Sequence, residues 1–155
     1  MRKVIYSVSL AQILLLSILI TLTQMVAASS HSMVSDDGPA HKLVIQVSSA
    51  DELTQKIALN NAVNMQKALG QDNISIEVVA YGPGLSLLTD KSIQSQRVAS
   101  LAMQDITFSA CGNTMKKVAK KSGNMPVLIE GVQVVPAGVM RIMELQEQGY
   151  AYIRP

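Results

Sequence analysis

The sequence predicts an α/β fold, a five-stranded, mostly parallel sheet with helices on both faces. Three observations predict it. Short runs rich in β-branched residues alternate with helix-period stretches through residues 42–155. The runs are nearly continuous in apolar residues, as strands buried on both faces are. The segments between them are long enough for crossover connections, which are right-handed in such sheets.

The chain has 155 residues, enough for one domain with a real core. Its N-terminus is set apart. Arg2 and Lys3 precede an uncharged apolar run over 4–22, and Val26-Ala27-Ala28 carries small residues at the positions a signal peptidase reads. Residues 1–28 are therefore expected to be a cleaved signal peptide, with an uncleaved membrane anchor as the alternative. The protein is then exported, periplasmic in a bacterium, and meets a membrane only if the segment stays. Residues 29–41 read as a flexible tail, polar and broken by Asp-Asp-Gly-Pro. After cleavage the chain would begin Ser29-Ser30-His31, a pattern that can wrap Cu(II) or Ni(II) in nitrogen ligands, although an incidental histidine in a tail explains it as well. His41 reads as a surface residue.

The first strand is 43–47 (LVIQV). Ser49 and Glu52 have capping-box spacing for a helix that runs to about Leu69 and stops at Gly70. Leu53, Ile57, Ala58, Ala62, Met65 and Leu69 form its expected apolar face. Asn61 lies among these, with Asn60 and Asn64 flanking. Poor helix formers so placed suit a polar interface or the edge of a site. The second strand, 74–80, runs into Tyr81-Gly82-Pro83-Gly84-Leu85, where glycines can turn backbone N–H groups outward. That Gly-x-Gly lacks the rest of a phosphate-binding motif. One helical turn is expected at 85–88, then a helix capped by Ser92 and reaching Met103, with Ile93, Val98, Leu101 and Ala102 inward.

Strand three is 106–110 and carries Cys111 at its tip. The next helix starts near Thr114, with Met115, Val118 and Ala119 inward and Lys116, Lys117, Lys120 and Lys121 outward; Ser122-Gly123-Asn124 ends it. Residues 125–131 are an apolar connector without an assignment. Strand four is 132–135, and Pro136 suits the first position of a helix. That helix presents Val139, Met140, Ile142, Met143 and Leu145 and closes at Gly149, before a last strand over 150–153.

Parallel sheets gather ligands at the C-terminal ends of their strands. Cys111, the turn at Gly82 and Gly84, and the segment 136–138 all fall on that edge. Cys111 is the only cysteine, so no disulfide framework exists and no second thiol in the chain can resolve it. A thiol at a strand tip facing a helix N-terminus can have its anion stabilised by free N–H groups, here those of Gly112, Asn113 and Thr114. Asn113 or Thr114 can instead serve only as the helix cap. His31 and His41 are the only histidines and both lie far away in sequence, which disfavours a Cys-His hydrolase. Thirteen Lys and Arg face eleven Asp and Glu, and losing Arg2 and Lys3 leaves the domain neutral. With few aromatic residues besides, nothing points to nucleic acid. No cofactor is indicated.

Several stretches together resemble the DsrE/DsrF-like proteins. They are Tyr81-Gly82-Pro83-Gly84-Leu85, Cys111-Gly112-Asn113-Thr114, Val134-Val135-Pro136-Ala137-Gly138-Val139, and an ending in which Leu145, Gln146, Gly149, Tyr150, Tyr152, Ile153 and Pro155 recur at the family's spacing. That family is associated with intracellular sulfur oxidation and sulfur relay. The resemblance covers nearly all of 42–155. It implies a small α/β fold with flavodoxin-like layering and assembly into trimers or hexamers. In relay members a cysteine after the third strand carries sulfur as a persulfide, and Cys111 occupies that place. Those members work in the cytoplasm with other sulfur-carrying proteins, whereas this chain has an export-type N-terminus.

Two functions follow. In one, Cys111 carries sulfane sulfur, at most in a sulfurtransferase-like manner, between donor and acceptor proteins or small sulfur species. In the other, the protein is a non-catalytic oligomeric module that binds a small ligand or serves assembly, and Cys111 is a packed hydrophobe.

Overall fold

The computed structural model describes residues 38–155. The signal segment, the cleavage point at Ala28 and the Ser29-Ser30-His31 amine site lie outside the described residues. His41, assigned to the tail from the sequence, is the first residue of a strand.

The strands are β1 (His41–Val47), β2 (Ile74–Ala80), β3 (Ile106–Cys111), β4 (Val132–Val135) and β5 (Ala151–Ile153). The helices are α1 (Glu52–Leu69), α2 (Ser95–Ala102), α3 (Gly112–Ser122) and α4 (Gly138–Glu147). A 3₁₀ helix, Gly82–Leu88, follows β2. Strand order is β4-β3-β2-β1-β5, and every neighbouring pair is parallel. Three successive crossovers step the same way from β1 to β4, and the last steps back past β1. With one handedness, the first three connections cover one face and the last covers the other.

The two faces are packed unequally. One is the main core, where Ile45, Ile76, Val78 and Phe108 meet Ala58, Leu59 and Ala62 of α1, Leu87 and Leu88 of the 3₁₀ helix, and Val98 of α2. Phe108, Leu59, Leu87 and Leu88 have no exposed surface; each such side chain contributes about 1.5–3 kcal/mol over its exposed state. The opposite face carries α4 alone, with Ile142 and Leu145 packed on Val44 and Val79 beside Tyr81 and Tyr150. This second apolar patch is small, and polar side chains fill the sheet around it.

Several local expectations are corrected. Asp51, not Ser49, caps α1, its carboxylate accepting the Thr54 N–H at 2.7 Å; Ser49 Oγ accepts from the Asp51 N–H instead. The buried face of α1 is Gln55, Ala58, Leu59 and Ala62, while Leu53, Ile57 and Met65 are exposed. Gln55 can be buried because its amide donates to the Ser49 carbonyl and to Ser86 Oγ. Asn60 accepts from Arg97 of α2 at 2.7 Å, which gives one of the three asparagines an intramolecular role. Gln94 stands at the cap of α2 without a side-chain bond, and Ile93 is exposed. In α4, only Ile142 and Leu145 of the five expected residues are buried; Val139, Met140 and Met143 face outward. Pro136 precedes the cap residue Ala137 and is outside that helix. No helix among the described residues is long and apolar enough to cross a membrane.

Candidate functional site

Cys111 ends β3 and stands at the cap position of α3, which begins at Gly112. The thiol is 5% exposed. Side chains alternate along a strand, so Cys111 shares a face with Ser109, the face that α4 covers. Two helices therefore begin at this thiol. α3 starts from Cys111 itself, and α4 arrives from the end of β4, which pairs with β3 at Cys111 and Val135. A β-carbon on Gly138 would stand 3.3 Å from Cys111 Cβ and 3.1 Å from Tyr81 Cβ, so the first turn of α4 packs directly on both residues. The Asn113 N–H donates to the Pro136 carbonyl at 3.2 Å, tying the start of α3 to the approach of α4.

The electrostatics follow from this convergence. Burial pushes the thiol pKa up, and it is the largest single influence; the Thr114 hydroxyl and the N–H groups of Gly138, Thr114 and Asn113 together outweigh it. The result is a pKa below the ordinary 9.0. Asn113 contributes least, its N–H being already bonded to Pro136. Thr114 contributes most among the donors. Its Oγ1 accepts the Gly82 N–H at 2.9 Å, which leaves the hydroxyl proton for the sulfur. The turn after β2 thereby orients the side chain that supports the thiolate.

Of the residues singled out in the sequence, Cys111, Gly112, Asn113 and Thr114 lie together and Gly82 joins them through Thr114. Neither Asn113 nor Thr114 is the helix cap, because α3 begins at Gly112 and Cys111 holds the cap position. Gly84 is elsewhere. It is a buried residue of the 3₁₀ helix, where a β-carbon would sit 2.2 Å from the Val47 carbonyl oxygen, so its role is close packing against β1. The sequence puts the segment 136–138 on this edge of the sheet but does not reveal the contact of Gly138 with Cys111, which depends on the β4–α4 connection and not on any local motif.

Glu77 was also missed, although a carboxylate within ISIEVVA was a visible signal. It is the only charged side chain among the buried described residues. Arg141 of α4 grips it with two bonds, Nε to Oε1 at 2.8 Å and Nη2 to Oε2 at 2.7 Å, and Glu77 in turn holds the guanidinium above its ordinary pKa. Ser109 Oγ donates to Glu77 Oε1 at 2.5 Å, and Gln133 Nε2 donates to Ser109 Oγ at 2.8 Å.

A groove of about 640 Å³ opens nearby, between the 3₁₀ helix, the outer part of α3 and residues 124–127. Pro83, Leu85, Val118, Met125 and Val127 give it an apolar lining. Val118, expected to face inward, is half-exposed here. The groove reaches Gly82 but not Cys111. Among the described residues no group of His, Cys, Asp and Glu is placed to hold a metal ion.

A family model described as DsrE/DsrF-like family matches residues 41–155. A solved structure, that of a protein of unknown function from Methanobacterium thermoautotrophicum, is 35% identical over 74% of this chain and 99% of its own, with a TM-score of 0.67. No curated protein matches the chain.

Proposed function

Since the chain belongs to the DsrE/DsrF-like family, we propose that it is a sulfur carrier that holds sulfane sulfur as a persulfide on Cys111. The observation that carries this reading is that two helices begin beside one thiol, α3 from Cys111 and α4 from Gly138, an arrangement that lowers its pKa. A relay role related to sulfur metabolism is what the family suggests; the persulfide is the step proposed for this chain.

The chemistry needs no other residue as nucleophile or base. The Cys111 thiolate attacks the outer sulfur of a donor such as thiosulfate or a polysulfide. One S–S bond forms to Cys111, the donor's S–S bond breaks, and sulfite or the shortened polysulfide leaves with the electron pair. An acceptor thiolate then attacks the outer sulfur and Cys111 leaves as thiolate. No net oxidant is consumed. The same N–H groups that stabilise the entering thiolate stabilise it again as the leaving group. In the same proposal residues 1–28 are removed, the protein works outside the cytoplasm, and it assembles as a trimer or hexamer.

A second reading, a non-catalytic module with Cys111 packed and silent, is favoured by two observations. Cys111 is only 5% exposed, and the groove at Gly82 does not reach it. Incubation with thiosulfate or polysulfide followed by intact-mass measurement separates the readings. The carrier gains one sulfur, and Cys111→Ser does not. A native chain whose mass never changes while its thiol labels only after denaturation supports the packed role.

A further inference from the structure

We propose that Glu77 and Arg141 are positioning residues for Cys111, a clamp that holds the first turn of α4 against the end of β3, beside the thiol. The inference rests on the reactive-thiol reading above and deepens it.

The placement of Glu77 carries the proposal. Its carboxylate is bonded both to the strand that presents the thiol and to the helix that begins beside it. Ser109, which donates to Oε1 at 2.5 Å, lies two residues before Cys111 on the same face of β3. Arg141, which binds both oxygens at 2.7–2.8 Å, lies three residues after Gly138, on the same side of α4. The forked guanidinium fixes the rotation of the helix as well as its distance, which a single bond cannot do. Gln133 extends the contact to β4, the strand from which α4 departs. A charged pair in this position is no economical way to stabilise a sheet, since apolar side chains of similar volume commonly do as well or better. What the pair does supply is a defined geometry for the helix turn above it.

The sign of a charge effect separates this role from a direct one. The titratable and charged groups on the elements packed at the thiol are Glu77 of β2 and Tyr81 just after it, Arg141 and Glu144 of α4, and Lys116 and Lys117 on the outer side of α3. None of them is among the groups that shift the Cys111 pKa. Acting through space, the negative charge of Glu77 would oppose the thiolate, so removing it would lower the thiol pKa. Acting through position, its removal raises that pKa, because the N-terminus of α4 drifts from the sulfur.

The test is the pH dependence of iodoacetamide alkylation of the purified full chain, in which Cys111 is the only thiol. Thermal unfolding is recorded on the same samples. Glu77→Gln and the charge-neutral Ser109→Ala are each expected to raise the apparent thiol pKa, by up to about one unit, tenfold in thiolate at neutral pH. Arg141→Lys, which keeps the charge but not the fork, is expected to raise it too. Ser109→Ala stands in if Glu77→Gln does not fold. An unchanged or lowered thiol pKa in folded variants, whatever happens to their melting temperature, overturns the proposal. A native chain whose thiol does not titrate below 9.0 fails at the earlier step, the reactive thiol itself, and that is seen before any variant is made.

Discussion

Gly138 opens α4 so close to Cys111 that a β-carbon on the glycine would stand 3.3 Å from that of the cysteine, and its N–H supports the thiolate from a helix that Cys111 does not itself begin. Here the end of β4 brings a second helix to the same sulfur, and the predictions below follow from that arrangement.

Gly138→Ala is expected to push α4 away from β2 and β3. The added methyl meets Tyr81 and Cys111 at 3.1–3.3 Å, so the expected cost is about 1–2 kcal/mol in urea unfolding. The thiol pKa should rise in the same variant. Unchanged stability and an unchanged thiol would show that the first turn of α4 is not seated against Cys111.

Thr114→Val removes the strongest donor to the sulfur and leaves the Gly82 N–H without its acceptor. Sulfur loading near neutral pH is expected to slow roughly tenfold, with about 1 kcal/mol lost in stability. Thr114→Ser, which keeps the hydroxyl, should load at close to the native rate. Equal loading by the valine and serine variants would remove Thr114 from the site.

Gly84→Ala should be far more damaging than its distance from Cys111 suggests. A β-carbon 2.2 Å from the Val47 carbonyl oxygen cannot be accommodated without moving backbone, and the expected loss is about 3 kcal/mol or failure to fold. Wild-type stability in this variant would contradict the described seating of the 3₁₀ helix on β1.

The site was only partly legible in the sequence. The strands could be read because buried parallel strands leave continuous apolar runs, and Cys111 could be placed at a strand tip for the same reason. The helix faces could not be read as well. In α1 two apolar rows compete, and the row containing Gln55 is buried because Ser49 and Ser86 satisfy its amide, which no hydropathy pattern reveals. In α4 the sequence is apolar on several sides, yet the helix covers the sheet only with Ile142 and Leu145. Gly138 and Arg141 meet Cys111 and Glu77 through tertiary contacts, so their roles emerge only from the fold. Glu77 is the exception, a charge in a strand core that the sequence itself displays.

Linkage gives a pH-dependent prediction. The thiol pKa is lower in the folded chain than its ordinary 9.0, so between the two values the unfolded chain binds more protons and stability rises with pH. The contribution is fully present above 9.0 and is lost as the pH falls through the folded value. The melting temperature of the native chain relative to Cys111→Ser, which does not titrate there, should therefore increase from neutral pH to 9.0. A flat or shrinking difference would mean that the folded state does not favour the thiolate.

The most direct measurement is the pH–rate profile for alkylation of Cys111 in the folded native protein. The account predicts a single titration with its midpoint below 9.0 and a thiol that reacts without denaturant. A thiol that labels only after unfolding, or one that titrates at or above 9.0, would contradict it.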